Sequence, residues 1–174
     1  MRIASYALLL TALSFAAGCA ARKAPAELLP ADYSGWASTV EGPLRYEIPG
    51  HTMDTRRIYI NDTGKRLEIT ETGGRVFHEY PEGTIILKEN YPGDESTVPA
   101  MLTAMIKSKK DSRARGGWIW VAKEVATGNE RIFTDEFCFT CHQNANEQHP
   151  YGDGNTKREF RDFVFYPWNP ASGE

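Results

Sequence analysis

The chain has 174 residues, of which 41% are hydrophobic and 25% are charged, and its formal net charge is −3. This composition is typical of one ordinary globular domain, and the sequence shows no internal repeat or low-complexity run. Because there is no excess of basic residues, the charge argues against a nucleic-acid partner.

The N-terminal residues predict an export signal. Arg2 gives a positive start, residues 3–17 form a short apolar run, and small residues lead to Cys19. The run is too short for a permanent membrane helix, so we expect residues 1–18 to be a cleaved signal peptide.

Small residues directly before a cysteine resemble the lipobox of bacterial lipoproteins, in which that cysteine carries acyl chains. We therefore expect lipidation at Cys19 and a membrane anchor through it. The alternative is an ordinary signal that leaves Cys19 in the discarded piece or as a free thiol. Ala20, rather than an aspartate, follows the cysteine, which favours the periplasmic side of the outer membrane.

The mature chain begins with a tether and continues with short strands. Residues 19–35 mix proline, alanine and charged side chains and predict an anchor and tether, with a short helix near residues 26–29. Alternating polarity between turn signals then predicts five strands, at residues 57–61, 66–70, 84–89, 102–108 and 117–123. Residues 98–110 also fit a helix, because apolar side chains recur there four positions apart. We expect a mainly β (α+β) domain over residues 36–174, with a curved antiparallel sheet of about five strands and a few short helices.

Two of the three cysteines lie in FCFTCHQNAN, residues 137–146, where a histidine directly follows the second. A structural zinc site would need four ligands, and His149 is the nearest further candidate. A thioredoxin-like dithiol would need a βαβ unit, which the strand pattern lacks. In an exported chain this spacing is typical of haem attachment: Cys138 and Cys141 would form thioethers with two vinyl groups, and His142 would be the proximal iron ligand. We therefore expect one covalent haem c, with the motif on a short helix; a disulfide or a weak metal site is the alternative.

The position of the motif argues against an ordinary electron-transfer cytochrome. Most small c-type cytochromes carry CxxCH near the N-terminus and use a methionine well downstream as the sixth ligand, whereas no methionine follows the motif here. His51, His78 and His149 are candidates for a sixth ligand, and a solvated loop histidine is the simpler interpretation of each.

Five segments in this order resemble the cytochrome P-460 family: YPEGTIILKE, LTAMIKSKK, GGWIWVAKE, CFTCHQNA and RDFVFYPW, which begin at residues 80, 102, 116, 138 and 161. The resemblance covers roughly residues 30–168. It implies an antiparallel β fold with a few helices, often as a homodimer, and a vacant or water-filled sixth position on the iron. The chain departs from the family by a polar insertion, HPYGDGNTKREF, so that Asp162 reaches the family's acidic position only after a loop.

The resemblance also implies roles for side chains outside the haem motif. Lys88 matches the lysine that forms a second covalent link to the porphyrin edge, although alternation alone would make it a solvent-facing strand residue. Arg56, with Arg57 as the alternative, matches the arginine on the distal side of the haem. Asp135 and Glu136 are candidates for the proton acceptor, or else they cap the haem helix. Lys88, Arg56, Asp135 and Glu136 are thus the predicted catalytic residues.

The function expected from the resemblance is the oxidation of hydroxylamine together with the handling of nitric oxide, with a periplasmic protein as electron acceptor. The sister family, cytochrome c′-beta, shares the fold and binds nitric oxide without turnover, and it provides the alternative. Phe133 and Phe137 would favour gas binding if they line the pocket. Trp118 and Trp120 are expected in the sheet core, although one of them could face the haem.

Overall fold

The computed structural model describes residues 27–51 and 55–173. The predicted signal peptide and Cys19 lie outside these residues. Of the short helix expected near residues 26–29, the described part, residues 27–29, is not helical. Within the described ranges, no helix is long and apolar enough to cross a membrane.

The body of the domain is a six-stranded antiparallel sheet with the strand order β1-β2-β5-β6-β7-β8. Its strands are β1 (Ala37–Ser38), β2 (Thr55–Ile60), β5 (Ile85–Tyr91), β6 (Met101–Lys107), β7 (Trp118–Glu124) and β8 (Glu130–Phe133). A separate hairpin pairs β3 (Glu68–Thr72) with β4 (Arg75–Glu79). Gly73 and Gly74 form its two-residue turn, and both have the positive φ that such turns require, 61° and 75°.

One α-helix occurs in the described part of the chain, α1 (Phe137–His142), and it carries the CxxCH motif. A 3₁₀ turn, Gln143–Asn146, continues it directly. Further 3₁₀ turns lie at Gly64–Arg66 and Pro170–Gly173. The prediction of a mainly β fold with a few short helices is therefore confirmed.

Successive side chains of the central strands point to opposite faces of the sheet, which we call the front face and the back face. On the front face, Ile86, Met105 and Trp120 belong to a core cluster that also contains Val164 and Trp168 of the C-terminal segment. On the back face, a second cluster is formed by Leu29, Leu87, Leu102, Ala104, Ile119 and Val121. Because both faces are covered, the first four residues of β7 are all buried and read as an apolar run rather than an alternating one.

The N-terminal segment of the described chain is attached to the back face. Leu29 is only 3% exposed. The backbone N–H groups of Leu28 and Leu29 donate to the two carboxylate oxygens of Glu130, at 2.8 and 3.1 Å. Ordered packing therefore begins before residue 36, within the stretch predicted as a tether.

Asn61 connects the end of β2 to the start of β5. Its Oδ1 accepts from the backbone N–H groups of Gly64 and Ile85, both at 3.0 Å, and its Nδ2 donates to the Gly83 carbonyl at 2.9 Å. One side chain thus satisfies three backbone groups of the loop and fixes where β5 begins against β2.

The predicted strands correspond to β2, β3, β5, β6 and β7, with small shifts at their ends. The helix considered over residues 98–110 is wrong, since Met101–Lys107 is a central strand paired on both sides. The run at residues 66–70 is part of the separate hairpin rather than of the main sheet. The sequence analysis did not identify β1, β4 and β8, which are short or less apolar.

Candidate functional site

A cavity of about 350 Å³ lies on the front face of the sheet. Its walls come from β2, β5, β6 and β7, from the loop over residues 44–51, and from α1 with the C-terminal segment. Most of these side chains are apolar, among them Ile58, Ile86 and Trp120. The few polar groups that reach it therefore determine what it can bind.

Helix α1 presents the haem motif to this cavity. Cys138, Cys141 and His142 all line it, because residues three and four positions apart lie on one face of a helix. Both cysteines are half-buried free thiols. Burial, followed by the nearby charge of Asp135, raises the pKa of the Cys138 thiol. The two thiols are thus unbridged and available for covalent attachment.

The backbone determines the orientation and the tautomer of His142. Its Nδ1 lies 2.9 Å from the Phe163 carbonyl oxygen. A carbonyl only accepts, so Nδ1 carries the proton and Nε2 is the free nitrogen. The imidazole lies between Trp120 and Phe165, with ring centroids 4.7 and 5.3 Å away. Burial lowers the pKa of His142 to about 4. A neutral, hydrogen-bonded imidazole is the form in which histidine binds a metal.

Lys88 lies on the front face of β5 and reaches the cavity. Its Nζ is 2.7 Å from Nδ1 and 3.2 Å from Nε2 of His51, which also lines the cavity. Burial, with a contribution from the charge of Arg56, lowers the pKa of Lys88 to about 7. Burial and the charge of Lys88 lower the pKa of His51 to about 3. At neutral pH the imidazole is thus uncharged, and a substantial fraction of the lysine is the free amine.

Arg56 is fully buried and lines the same cavity. Its Nη2 donates to the Tyr46 carbonyl, and its guanidinium lies 5.0 Å from the centre of the Tyr46 ring. Its Nε and Nη1 are buried without a hydrogen-bond partner. Buried donors are rarely left unpaired in proteins, so these two point to a ligand or cofactor in the cavity. Arg57, the alternative, is exposed and lies beside Tyr91.

The predicted acidic residues are not in the cavity. Asp135 and Glu136 are exposed and do not line it. Asp135 Oδ1 accepts from the Phe137 N–H at 3.2 Å, at the start of α1, whereas Glu136, at the N-cap, makes no side-chain capping hydrogen bond. Phe133 and Phe137 do line the cavity. All four residues are close to the haem motif in the sequence, but only the two phenylalanines reach the cavity.

The remaining histidine and tryptophan candidates differ in whether they reach the cavity. His78 lies 3.3 Å from Glu159, and His149 Nδ1 accepts from the Tyr151 N–H at 3.2 Å; neither lines the cavity. Trp118 is in the sheet core, whereas Trp120 both packs in the core and faces the cavity. Two methionines on the front face, Met101 and Met105, also line the cavity, although they precede the haem motif in the sequence.

The residues present fit a covalently attached haem. Two free thiols and an imidazole with a free Nε2 lie on one wall of an apolar cavity, and unpaired guanidinium donors are available in it. The zinc alternative has no comparable support, since the described residues gather no group of three histidine, cysteine or acidic side chains that could hold a metal ion.

Comparison with known proteins agrees with this geometry. No curated protein matches the sequence. The family model for Cytochrome P460 matches residues 30–166, which is most of the chain, and confirms the resemblance seen in the motifs. The family implies a c-type cytochrome with covalently bound haem c. The chain therefore belongs to the cytochrome P460 family.

Proposed function

We propose that the protein is an exported mono-haem cytochrome that binds a small nitrogenous ligand, oxidises hydroxylamine and handles nitric oxide. The observation that carries the proposal is the composition of the cavity. The haem motif lines it together with a buried arginine that has unpaired donors and a lysine with a lowered pKa. A periplasmic protein would accept the electrons.

In this proposal the haem motif holds the cofactor. Cys138 and Cys141 would form the thioethers, and Nε2 of His142 would bind the iron. The bound haem supplies a metal centre that takes a small ligand and accepts electrons. The carbonyl of Phe163 keeps the proton on Nδ1, so that Nε2 remains available.

Arg56 is suited to contact the ligand. Its unpaired Nε–H and Nη1–H groups are buried, and hydrogen bonds from a charged donor are strong in an environment without water. Replacing Arg56 with glutamine should weaken the binding of an anionic probe such as cyanide by about 10-fold or more, since a hydrogen bond to a charged group contributes about 1.5–3 kcal/mol. The matched control is Arg57→Gln, whose exposed side chain lies on the opposite face of the same strand. Equal affinities in the two variants would remove Arg56 from the ligand site.

Lys88 is the proposed site of a second covalent link to the porphyrin edge. Its lowered pKa supplies the free amine that such a bond requires. The neutral imidazole of His51, 2.7 Å away, can accept a hydrogen bond from the lysine. Because the pKa of His51 is only about 3, this imidazole would orient the amine rather than take its proton.

Intact mass spectrometry of the holoprotein tests the link directly. Joining Lys88 Nζ to a porphyrin carbon would break one N–H and one C–H bond, and the two protons and two electrons would pass to an oxidant such as a peroxide. The wild-type mass would therefore be lower, by two hydrogens, than expected for two thioethers alone. Lys88→Met should carry haem with the thioether mass only. A wild-type adduct at the thioether mass would exclude the link.

A gas-binding role of the cytochrome c′-beta kind is the second candidate. It is favoured by the apolar walls of the cavity and by Phe133 and Phe137, which line it. Incubating the holoprotein with hydroxylamine and an oxidant separates the two roles: nitrous oxide or nitrite supports oxidation, and their absence with intact nitric oxide binding supports gas binding. A six-coordinate low-spin spectrum in both oxidation states would instead favour electron transfer, with His51, Met101 or Met105 as the sixth ligand.

We further propose that the protein is lipidated at Cys19, faces the periplasm from the outer membrane, and forms a homodimer. The sequence before residue 20 supports the first two statements, and the family resemblance supports the third. Labelling cells with a radioactive fatty acid should mark the wild-type protein but not Cys19→Ala. A soluble wild-type protein would contradict the anchor.

A further inference from the structure

A turn at residues 161–164, in the C-terminal segment, has an unusual backbone. Val164 N–H donates to the Arg161 carbonyl at 3.0 Å, which closes a four-residue turn. Its two central residues, Asp162 and Phe163, both have positive φ, 48° and 71°. Turns of this kind normally place glycine, asparagine or aspartate at these positions, so Asp162 is an ordinary residue here, whereas the bulky Phe163 is unfavourable. Such a conformation persists only where surrounding contacts enforce it, and it often marks a functional site.

The first set of enforcing contacts holds the carboxylate of Asp162. Lys107 Nζ lies 2.7 and 2.6 Å from its two oxygens, and the two side chains belong to residues only 3% and 5% exposed. Trp118 Nε1 and the Tyr80 N–H approach the same carboxylate at 3.3 and 3.5 Å. The Asp162 side chain is thus held by β6, by β7 and by the residue that follows β4.

The second set holds the backbone on both sides of Asp162. Asn146 Oδ1 accepts from the N–H groups of Arg161 at 2.9 Å and of Phe163 at 3.2 Å. Asn146 ends the 3₁₀ turn that continues α1. The turn is therefore connected directly to the segment that carries the haem motif.

Together these contacts fix the position of the Phe163 carbonyl. The Phe163 carbonyl oxygen accepts a hydrogen bond from His142 Nδ1–H at 2.9 Å. A histidine that binds a metal through one ring nitrogen donates a hydrogen bond from the other. The group that accepts this hydrogen bond sets the orientation of the ring and the basicity of the nitrogen that binds the metal. The geometry points to Asp162 as a positioning residue: through its ion pair with Lys107, it holds the left-handed turn that aims the Phe163 carbonyl at the proximal histidine.

This assignment depends on haem attachment at His142 and is independent of which small ligand the protein takes. Losing the carbonyl contact would make the imidazole a weaker donor to iron. The iron–histidine bond should then weaken, and the ferrous state should be relatively favoured. Both effects can be measured without hydroxylamine. The test therefore remains valid even if the protein does not oxidise hydroxylamine.

The test compares Asp162→Ala, Asp162→Asn and the control Asp153→Asn in the holoprotein. Asp153 is paired with Arg161 at 2.7 Å, so the control removes a neighbouring ion pair from the same segment and leaves the Asp162 contacts in place. Intact mass first establishes that each variant carries haem. Resonance Raman spectra of the reduced protein then give the iron–histidine stretching frequency, and a redox titration gives the midpoint potential.

We expect the stretching frequency to fall and the midpoint potential to rise in Asp162→Ala. Asp162→Asn keeps the size and the left-handed preference of the native residue, so it should fold and show a smaller change in the same direction. The control should match the wild type. The inference is overturned if Asp162→Asn and any folded Asp162→Ala protein keep the wild-type frequency and potential, or if Asp153→Asn shifts them equally.

Discussion

Removing one partner of the buried ion pair between Lys107 and Asp162 should strongly destabilise the protein, and Lys107→Met tests this. Both residues are nearly inaccessible, and the ammonium lies within 2.7 Å of each carboxylate oxygen. Methionine fills the same volume but leaves the carboxylate buried with only the weaker contacts from Trp118 and Tyr80. Removing one partner of a buried pair costs about 3–5 kcal/mol. For a chain of this size that corresponds to a fall in Tm of about 6–20 °C.

Urea denaturation of the holoprotein, followed by far-ultraviolet circular dichroism and by the haem absorbance, measures the change. The double variant Lys107→Met/Asp162→Asn removes both charges and should recover a large part of the loss, because no unpaired charge remains. The control is Lys65→Met, whose partner Asp62 is largely exposed and whose loss should change the midpoint very little. A loss below about 1 kcal/mol for Lys107→Met would refute the assignment of a large cost to the unpaired carboxylate.

Three further predictions concern the cavity and its supports. Gly116 has a φ of 64°, and an added Cβ would lie 2.5 Å from the ring of Phe139 on the haem helix, so Gly116→Ala should cost about 1–3 kcal/mol and lower the haem content per chain. Asn155 is 1% exposed and its amide makes hydrogen bonds of 2.9–3.0 Å to three backbone groups; Asn155→Ala should therefore lower the unfolding free energy by about 2–3 kcal/mol. In protein without the Lys88 link, the pKa of Lys88 is lowered to about 7 from 10.5, so the folded state binds fewer protons than the unfolded state in that window. The free energy of unfolding should rise with pH across it, and urea titrations of Lys88→Met should show a flatter dependence.

The strands of the domain could be predicted because their signals are local. Apolar runs of the right length lie between glycine-containing turns, and this was enough to find the four longest strands of the main sheet. The short strand β8 and the mostly polar β4 lack such a run. Their pairing depends on neighbours that are distant in the sequence, as Phe77 of β4 shows by bridging to Phe160.

The haem motif could also be predicted, because its chemistry depends on spacing within six residues. The position of Lys88 could not be derived from alternation. Both faces of β5 are covered, so its sequence contains apolar residues on either side and does not show which face the lysine occupies. The family resemblance supplied that information, and the structure places the side chain in the cavity.

The contacts that organise the site join residues far apart in the chain. His51 and Lys88 are separated by 37 positions, and Lys107 and Asp162 by 55. No pattern in the sequence marks such pairs. Asp135 and Glu136 were predicted to be in the site because they directly precede the haem motif in the sequence. They remain exposed, since α1 begins only after them.

The anchoring of β5 by Asn61 has an electrostatic consequence. Lys88 and Glu89 are neighbours on this strand and face opposite sides of the sheet. A slip of one residue would turn Lys88 to the back and bring Glu89 into the cavity. A carboxylate would then replace the Lys88 amine in the cavity, where it would stabilise an oxidised metal centre and repel anions. By fixing where β5 begins, the amide of Asn61 thus helps to keep negative charge away from a bound ligand.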